Sequence, residues 1–172
     1  MIFLAALLVL TTYYTSDYPW NEISEEAQSN HLEPEILYGP YEVSKVVDGD
    51  TIYVLIGNEQ IKVRLIGVDA PESVHPDKAK NSTEGRIVSD WMKKLLTDEN
   101  VYLEYDVGQT DQYGRWLAYV YLSDKKTMVN ELLLQNGYAT ILTIQPNVKY
   151  ADDFYKIQRN AIEDGKGFWG DN

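Results

Sequence analysis

An α+β fold dominated by β-structure, a five-stranded Greek-key barrel carrying three helices, is what the pattern of this 172-residue chain predicts. Three observations carry it. Five short stretches are rich in Val, Ile, Leu and Tyr, several with the apolar/polar alternation of strands that have one face in a core. Three longer stretches place apolar residues at helical spacing. One of those helices follows the third strand and the other two follow the fifth.

The first strand is expected over Tyr41–Val47, and Asp48-Gly49-Asp50 turns the chain into the second, Thr51–Ile56. Gly57-Asn58 is a two-residue hairpin signal, and Gln60–Val68 is the third strand. Simple alternation would place Arg64 and Asp69 on opposite faces. A bend is therefore expected between them, and Gly67 is the residue that permits it. After a polar loop from Ser73 to Ser82, the residues Ile87, Val88, Trp91, Met92, Leu95 and Leu96 argue a helix over Thr83–Thr97. Val101–Val107 and Trp116–Leu122 are two more strands, joined by the loop Gly108–Arg115. Thr127–Asn136 is a short helix stopped by Gly137. Tyr150–Glu163 is the last helix, with Phe154, Ile157, Ala161 and Ile162 as its apolar stripe and Gly165 ending it. Phe168 and Trp169 are expected to pack back on the core. This order fits the small closed barrel known as the OB-fold.

A chain of this length holds one domain with a substantial core. It has no cysteine, which excludes a disulfide framework and thiolate metal ligation. The net charge of −12 is the wrong sign for binding polyanions through an overall field. Six acids and no Lys or Arg fall in the first forty residues, leaving 21 of the 27 acids against all 15 bases in the rest. Attraction of a polyanion must therefore be local, and a divalent cation would reverse the sign where it binds.

The run Met1–Leu10 is apolar but shorter than the about 20 residues that span a bilayer. Residues 1–16 read as a signal peptide or N-terminal hydrophobic segment, although the usual basic start is missing; a core strand or helix is the plain alternative. No cysteine follows for a lipid anchor. Export, or a place at the cell surface, is the expectation. Residues 17–40 are acidic, carry Pro19, Pro34 and Pro40, and read as a linker. The folded domain is expected over residues 41–170, without a stable membrane span and as a monomer.

Chemistry concentrates between Asp48 and Glu72. Asp48-Gly49-Asp50-Thr51 lies at one strand junction, and Arg64 precedes Val68-Asp69-Ala70-Pro71-Glu72 at the next. A second arginine stands in Asp111-Gln112-Tyr113-Gly114-Arg115. Two guanidinium groups beside acidic oxygens suit hydrolysis of a phosphodiester with the help of a hard cation. The four motifs, in this order and spacing from about Tyr41 to Trp169, resemble those of the staphylococcal nuclease family. That resemblance implies an OB-fold and a Ca²⁺-dependent endonuclease acting on DNA and RNA, single-stranded or frayed ones most readily, with 3′-phosphate products.

It also implies roles. Asp50 and Asp69 would be metal ligands, joined by the backbone oxygen of Ala70, a position often occupied by Thr in the family. Asp48 would act through water or behind them. Glu72 would be the general base and Arg64 and Arg115 the phosphate clamps, with Tyr113 stacking on a base or sugar. Plainer readings stand beside these: Asp48 and Asp50 as an Asx turn, Glu72 as a solvated loop residue, Arg64 as a strand-edge arginine, Arg115 as a turn arginine paired to Asp111. The substrate pocket departs from the family. Gln112 stands where the best-known members have lysine, and the run before Pro146-Asn147 lacks their two tyrosines. His31 and His75 receive no role. The rival functions are a catalytically inactive module of the same fold that binds nucleic acid or a protein, and a plain Ca²⁺-binding or structural barrel.

Overall fold

A computed structural model describes residues 36–73 and 81–170 of the chain. Residues 1–35, with the apolar start, most of the acidic linker and His31, lie outside the described residues, as does His75.

The barrel closes from five strands in the order β1-β2-β3-β6-β5, with β1 at Tyr38–Val46, β2 at Thr51–Ile56, β3 at Glu59–Leu65, β5 at Asn100–Glu104 and β6 at Trp116–Tyr121. Every pairing is antiparallel except β3 with β6, which closes the cylinder in parallel. The two-residue Gly57-Asn58 loop pairs Ile56 with Glu59, as its sequence predicts. Alternate side chains Ile52, Val54, Val63, Leu65, Val101, Leu103, Ala118 and Val120 fill the interior. The five-strand barrel with three helices is the predicted fold.

Helix α1, Thr83–Leu96, closes the barrel against β1 with Val88, Met92 and Leu96, all inaccessible to solvent. The Ser82 hydroxyl accepts from the Gly85 amide at 2.8 Å to cap it. Ile87, expected in the apolar stripe, instead faces solvent. Helices α2, Val129–Gln135, and α3, Ala151–Glu163, pack on each other. Phe154 and Tyr150 meet Tyr119 edge-on, which buries the outer face of β6 as well as its inner one. Phe154 and Ala161 are buried and Ile162 is exposed, so the stripe of α3 is narrower than the sequence indicates. Phe168 does return to the core, packing on Tyr138 from a short 3₁₀ turn, Gly167–Trp169.

The observed strands differ from the sequence reading at four points. The third strand does not run unbroken to Val68: it ends at Leu65, and β4, Gly67–Asp69, leaves the barrel to pair with β7, Thr140–Leu142. Strand β7 lies in a stretch to which the sequence assigned no element. The bend falls at Gly67, whose φ is +78°, and a Cβ there would stand 2.6 Å from the Phe154 ring. Behind it, Asn130 donates to the Ile66 carbonyl and accepts from the Val120 amide, clamping the point of departure. Strand β5 ends at Glu104 rather than Val107, because Asp106 takes over locally: it accepts from the Val107 and Lys149 amides and from the Tyr119 hydroxyl. Strand β1 starts three residues earlier than expected, with an irregularity between Tyr38 and Tyr41 that accommodates Pro40.

Gly67→Ala is therefore expected to destabilise the protein by about 2 kcal/mol or more, combining backbone strain with a clash against Phe154. Denaturant melts measure the loss. Unchanged stability would mean that the bend tolerates a side chain.

Candidate active site

The site forms where the β1–β2 turn, the outer face of β3, the β4 end and the loop before β6 converge. The turn closes through the Val47 amide and the Thr51 carbonyl, with the Asp50 amide donating to Asp48 Oδ1. This directs the Asp50 carboxylate inward, where it is 6% exposed. Its Oδ1 accepts from the Thr51 hydroxyl at 3.0 Å and its Oδ2 from the Ala70 amide at 2.8 Å. Burial raises the Asp50 carboxyl to about 6; Arg64 pulls it down and Asp48 pushes it up again.

On β3, Arg64 alternates with the buried Val63 and Leu65 and so projects from the barrel surface. Its Nη1 pairs with Asp50 and its Nη2 with Asp69 Oδ1 at 2.9 Å. The guanidinium thus bridges the two candidate ligands. The bend at Gly67 makes this contact possible, by turning Asp69 back to the side that Arg64 occupies.

Glu72 follows Pro71 and is anchored through its backbone. Its carbonyl accepts from the Ser82 amide at 2.9 Å, and the first turn of α1 approaches so closely that a Cβ on Gly85 would lie 2.3 Å from that carbonyl oxygen. Arg115 lies in a turn built on Asp111. Asp111 Oδ1 accepts from the Tyr113 and Arg115 amides at 2.9 and 3.0 Å, while Oδ2 takes Arg115 Nε at 2.6 Å. Burial would raise the Asp111 carboxyl, but these hydrogen bonds from Arg115 and Tyr113 outweigh it and hold it below its usual range. The paired turn arginine foreseen as the plain alternative is thus present, and the same side chain also reaches the cavity described next.

A cavity of about 310 Å³ is lined by Asp48, Asp50, Thr51, Lys62, Arg64, Asp69, Ala70, Glu72 and Arg115. Every predicted catalytic and metal-binding position is on its wall. A second, more apolar cavity of about 430 Å³ shares Arg64 and Arg115 and takes in Tyr113, Gln112, Leu142, Ile144, Gln145 and Asn147. The tyrosine-free run before Pro146 therefore does form a pocket wall, an aliphatic one. Tyr113 is 75% exposed, and its ring lies 5.5 Å from the Arg115 guanidinium. Asn147 fastens the two walls together, accepting from the Gly108 amide at 2.7 Å and donating to the Gly108 carbonyl at 2.8 Å.

Residues 62–171 match the family model described as staphylococcal nuclease homologue. The chain belongs to the staphylococcal nuclease family. It is 42% identical to the thermonuclease of Staphylococcus hyicus over 129 residues, which covers 75% of each chain. Identity to the thermonuclease of Staphylococcus intermedius is 34% over 166 residues, 96% of this chain and 92% of that one. Endonuclease YncB of Bacillus subtilis is 32% identical over 152 residues, 87% of this chain and 71% of the other.

Two residues that line the cavity received no individual role from the sequence. Lys62 stands two residues before Arg64 on the same strand, so period-two alternation alone would have placed it on the cavity side. Thr51, the last residue of Asp-Gly-Asp-Thr, bonds Asp50 directly.

Proposed function

We propose that this chain is a Ca²⁺-dependent endonuclease that hydrolyses DNA and RNA, single-stranded or frayed strands most readily, to 3′-phosphate products. One observation carries the reading: two arginines, Glu72 and the Asp50–Asp69 pair line a single cavity. The thermonucleases and the endonuclease to which the chain is similar place the activity in the same class, a nuclease that hydrolyses phosphodiester bonds.

The donor set fits a calcium ion in kind. Asp50, Asp69, the Thr51 hydroxyl and the Ala70 carbonyl are all oxygen donors, and the raised Asp50 carboxyl marks a desolvated charge that a divalent cation would stabilise. Among the described residues no three acidic or histidine side chains gather to hold a metal, so water would complete the six to eight oxygens that calcium takes. When bound, the ion would supply positive charge near the scissile phosphate. The protein groups divide the remaining work. Arg115 holds a phosphate oxygen with a two-pronged donor, and Arg64, beside it on the cavity wall, does the same. Glu72 accepts the proton of the attacking water. Tyr113 offers a ring face for a base or sugar, and the aliphatic wall of Leu142 and Ile144 accepts a base without stacking as a tyrosine would.

Action outside the cell or at its surface, as a monomer, completes the proposal; the apolar run Met1–Leu10 supports export. No helix among the described residues is long and apolar enough to cross a membrane. The test is digestion of single-stranded DNA, duplex DNA and RNA in Ca²⁺, in Mg²⁺ and in chelator, with the product ends determined. Cleavage in Ca²⁺ that chelator abolishes, with 3′-phosphate ends, is the expected result. No cleavage under any of these conditions, with nucleic acid still bound, would establish the inactive module instead.

A further inference from the structure

The two arginines at the cavity are held in different ways. Both terminal nitrogens of Arg64 face carboxylates, Asp50 and Asp69. Arg115 is held from behind: its Nε meets Asp111 Oδ2 at 2.6 Å, and among the described residues no hydrogen bond or ion pair engages its Nη atoms. The side chain is 28% exposed and lines both cavities. We propose that Asp111 is a positioning residue for phosphate binding, which pins the Nε edge of Arg115 so that its Nη edge is presented to the substrate. The inference rests on the reading of Arg115 as a phosphate clamp.

The physical reason is the freedom of a long side chain. An unpinned arginine must give up rotamer entropy when it closes on a phosphate, and a guanidinium held at one edge has given up part of it beforehand. Asp111 suits this because its two oxygens have separate tasks. Oδ1 accepts from the Tyr113 and Arg115 amides and thereby shapes the turn. Oδ2 takes the Nε proton and fixes the direction of the guanidinium. The same carboxylate thus sets the spacing between Arg115 and Tyr113, whose ring lies 5.5 Å from the guanidinium. A carboxylate behind an arginine also keeps it from swinging to other acids of a chain with net charge −12.

Asp111→Asn tests this because an amide oxygen still caps the turn, whereas an NH₂ in place of Oδ2 cannot accept from Nε. Asp111→Ser serves as a second variant, since its hydroxyl caps the turn but is too short to reach the guanidinium. Each would be made in the wild-type and in the Arg115→Lys background, because lysine has no Nε–H edge to pin. The readouts are single-turnover cleavage, KM, affinity for a nucleoside bisphosphate, and thermal melting. The expected result is a folded protein with roughly tenfold or more slower cleavage and weaker bisphosphate binding, the scale of one charge-assisted hydrogen bond. In the Arg115→Lys background the same Asp111 substitutions should change little further. Wild-type cleavage by Asp111→Asn, or an equal loss in both backgrounds, would overturn the positioning role. Full activity of Arg115→Lys would overturn the clamp reading itself, and the positioning role with it. If both Asp111 variants melt far below wild type, the carboxylate serves turn stability, which also overturns the proposal.

Discussion

Glu72→Gln is expected to cleave at least ~10²-fold more slowly than wild type while binding a nucleoside bisphosphate as tightly or more tightly. The argument is one of charge. Glu72 lines the cavity with Arg64 and Arg115, and its carboxylate carries the sign of the phosphate, so it contributes nothing direct to holding substrate. Its contribution comes when the attacking water loses a proton. The backbone anchorage through Ser82 and the close packing of Gly85 should survive the change, because neither contact involves the carboxylate. Arg115→Ala provides the contrast, since a guanidinium meets the phosphate in ground and transition states alike; affinity and rate should fall together. Bisphosphate titrations in Ca²⁺ beside single-turnover cleavage separate the two behaviours. Near wild-type turnover by Glu72→Gln would remove it as general base.

Asp50→Asn is expected to raise stability at neutral pH while reducing cleavage by roughly 10–100-fold or more. Burial lifts the Asp50 carboxyl from 3.8 to about 6, against the opposing pull of Arg64. Between those values the folded chain holds a proton that the unfolded chain has released, so this group's contribution to stability is present below about pH 4 and lost as pH rises through 6. Above pH 6 the full loss, roughly 3 kcal/mol, is in force. Asparagine does not ionise and escapes it. Asparagine also gives up one acceptor and leaves Arg64 with Asp69 alone, so a net gain of about 1–2 kcal/mol is expected. The measurement is a set of melts in chelator from pH 4 to 8, read as the difference between variant and wild type. That difference should be largest above pH 6 and shrink towards pH 4. A variant that melts no higher than wild type at pH 7.5 would show that ionised Asp50 is not a burden on the fold.

Both predictions concern residues legible in the sequence, because motif residues at strand ends carry their own signal. Asp50, Arg64, Asp69 and Glu72 are charged residues in apolar, β-prone surroundings, and such placement is unfavourable unless something uses it. The barrel was legible for a similar reason: period-two alternation and a helical stripe are local properties, and five strands with this helix order admit few closed arrangements. Gly67 could be named as the bend because one mismatch of register between Arg64 and Asp69 required a residue tolerant of positive φ.

Other features were decided only by contacts between distant segments. Strands β4 and β7 are three residues each, too short for a periodic signal, and exist because residues about seventy apart in the chain pair at the edge of the barrel. Ile87 and Ile162 read as core residues from spacing, yet each lies at the margin of a stripe whose width depends on what packs against it. The sequence by itself determined the fold class and which charged residues converge, since these follow from local pattern and from motifs in fixed order. Tertiary structure alone decided that Arg64 bridges Asp50 and Asp69, that Asp111 grips one edge of Arg115, and that burial raises the Asp50 carboxyl to about 6. Those properties depend on distance and desolvation, which exist only once the chain has closed around them.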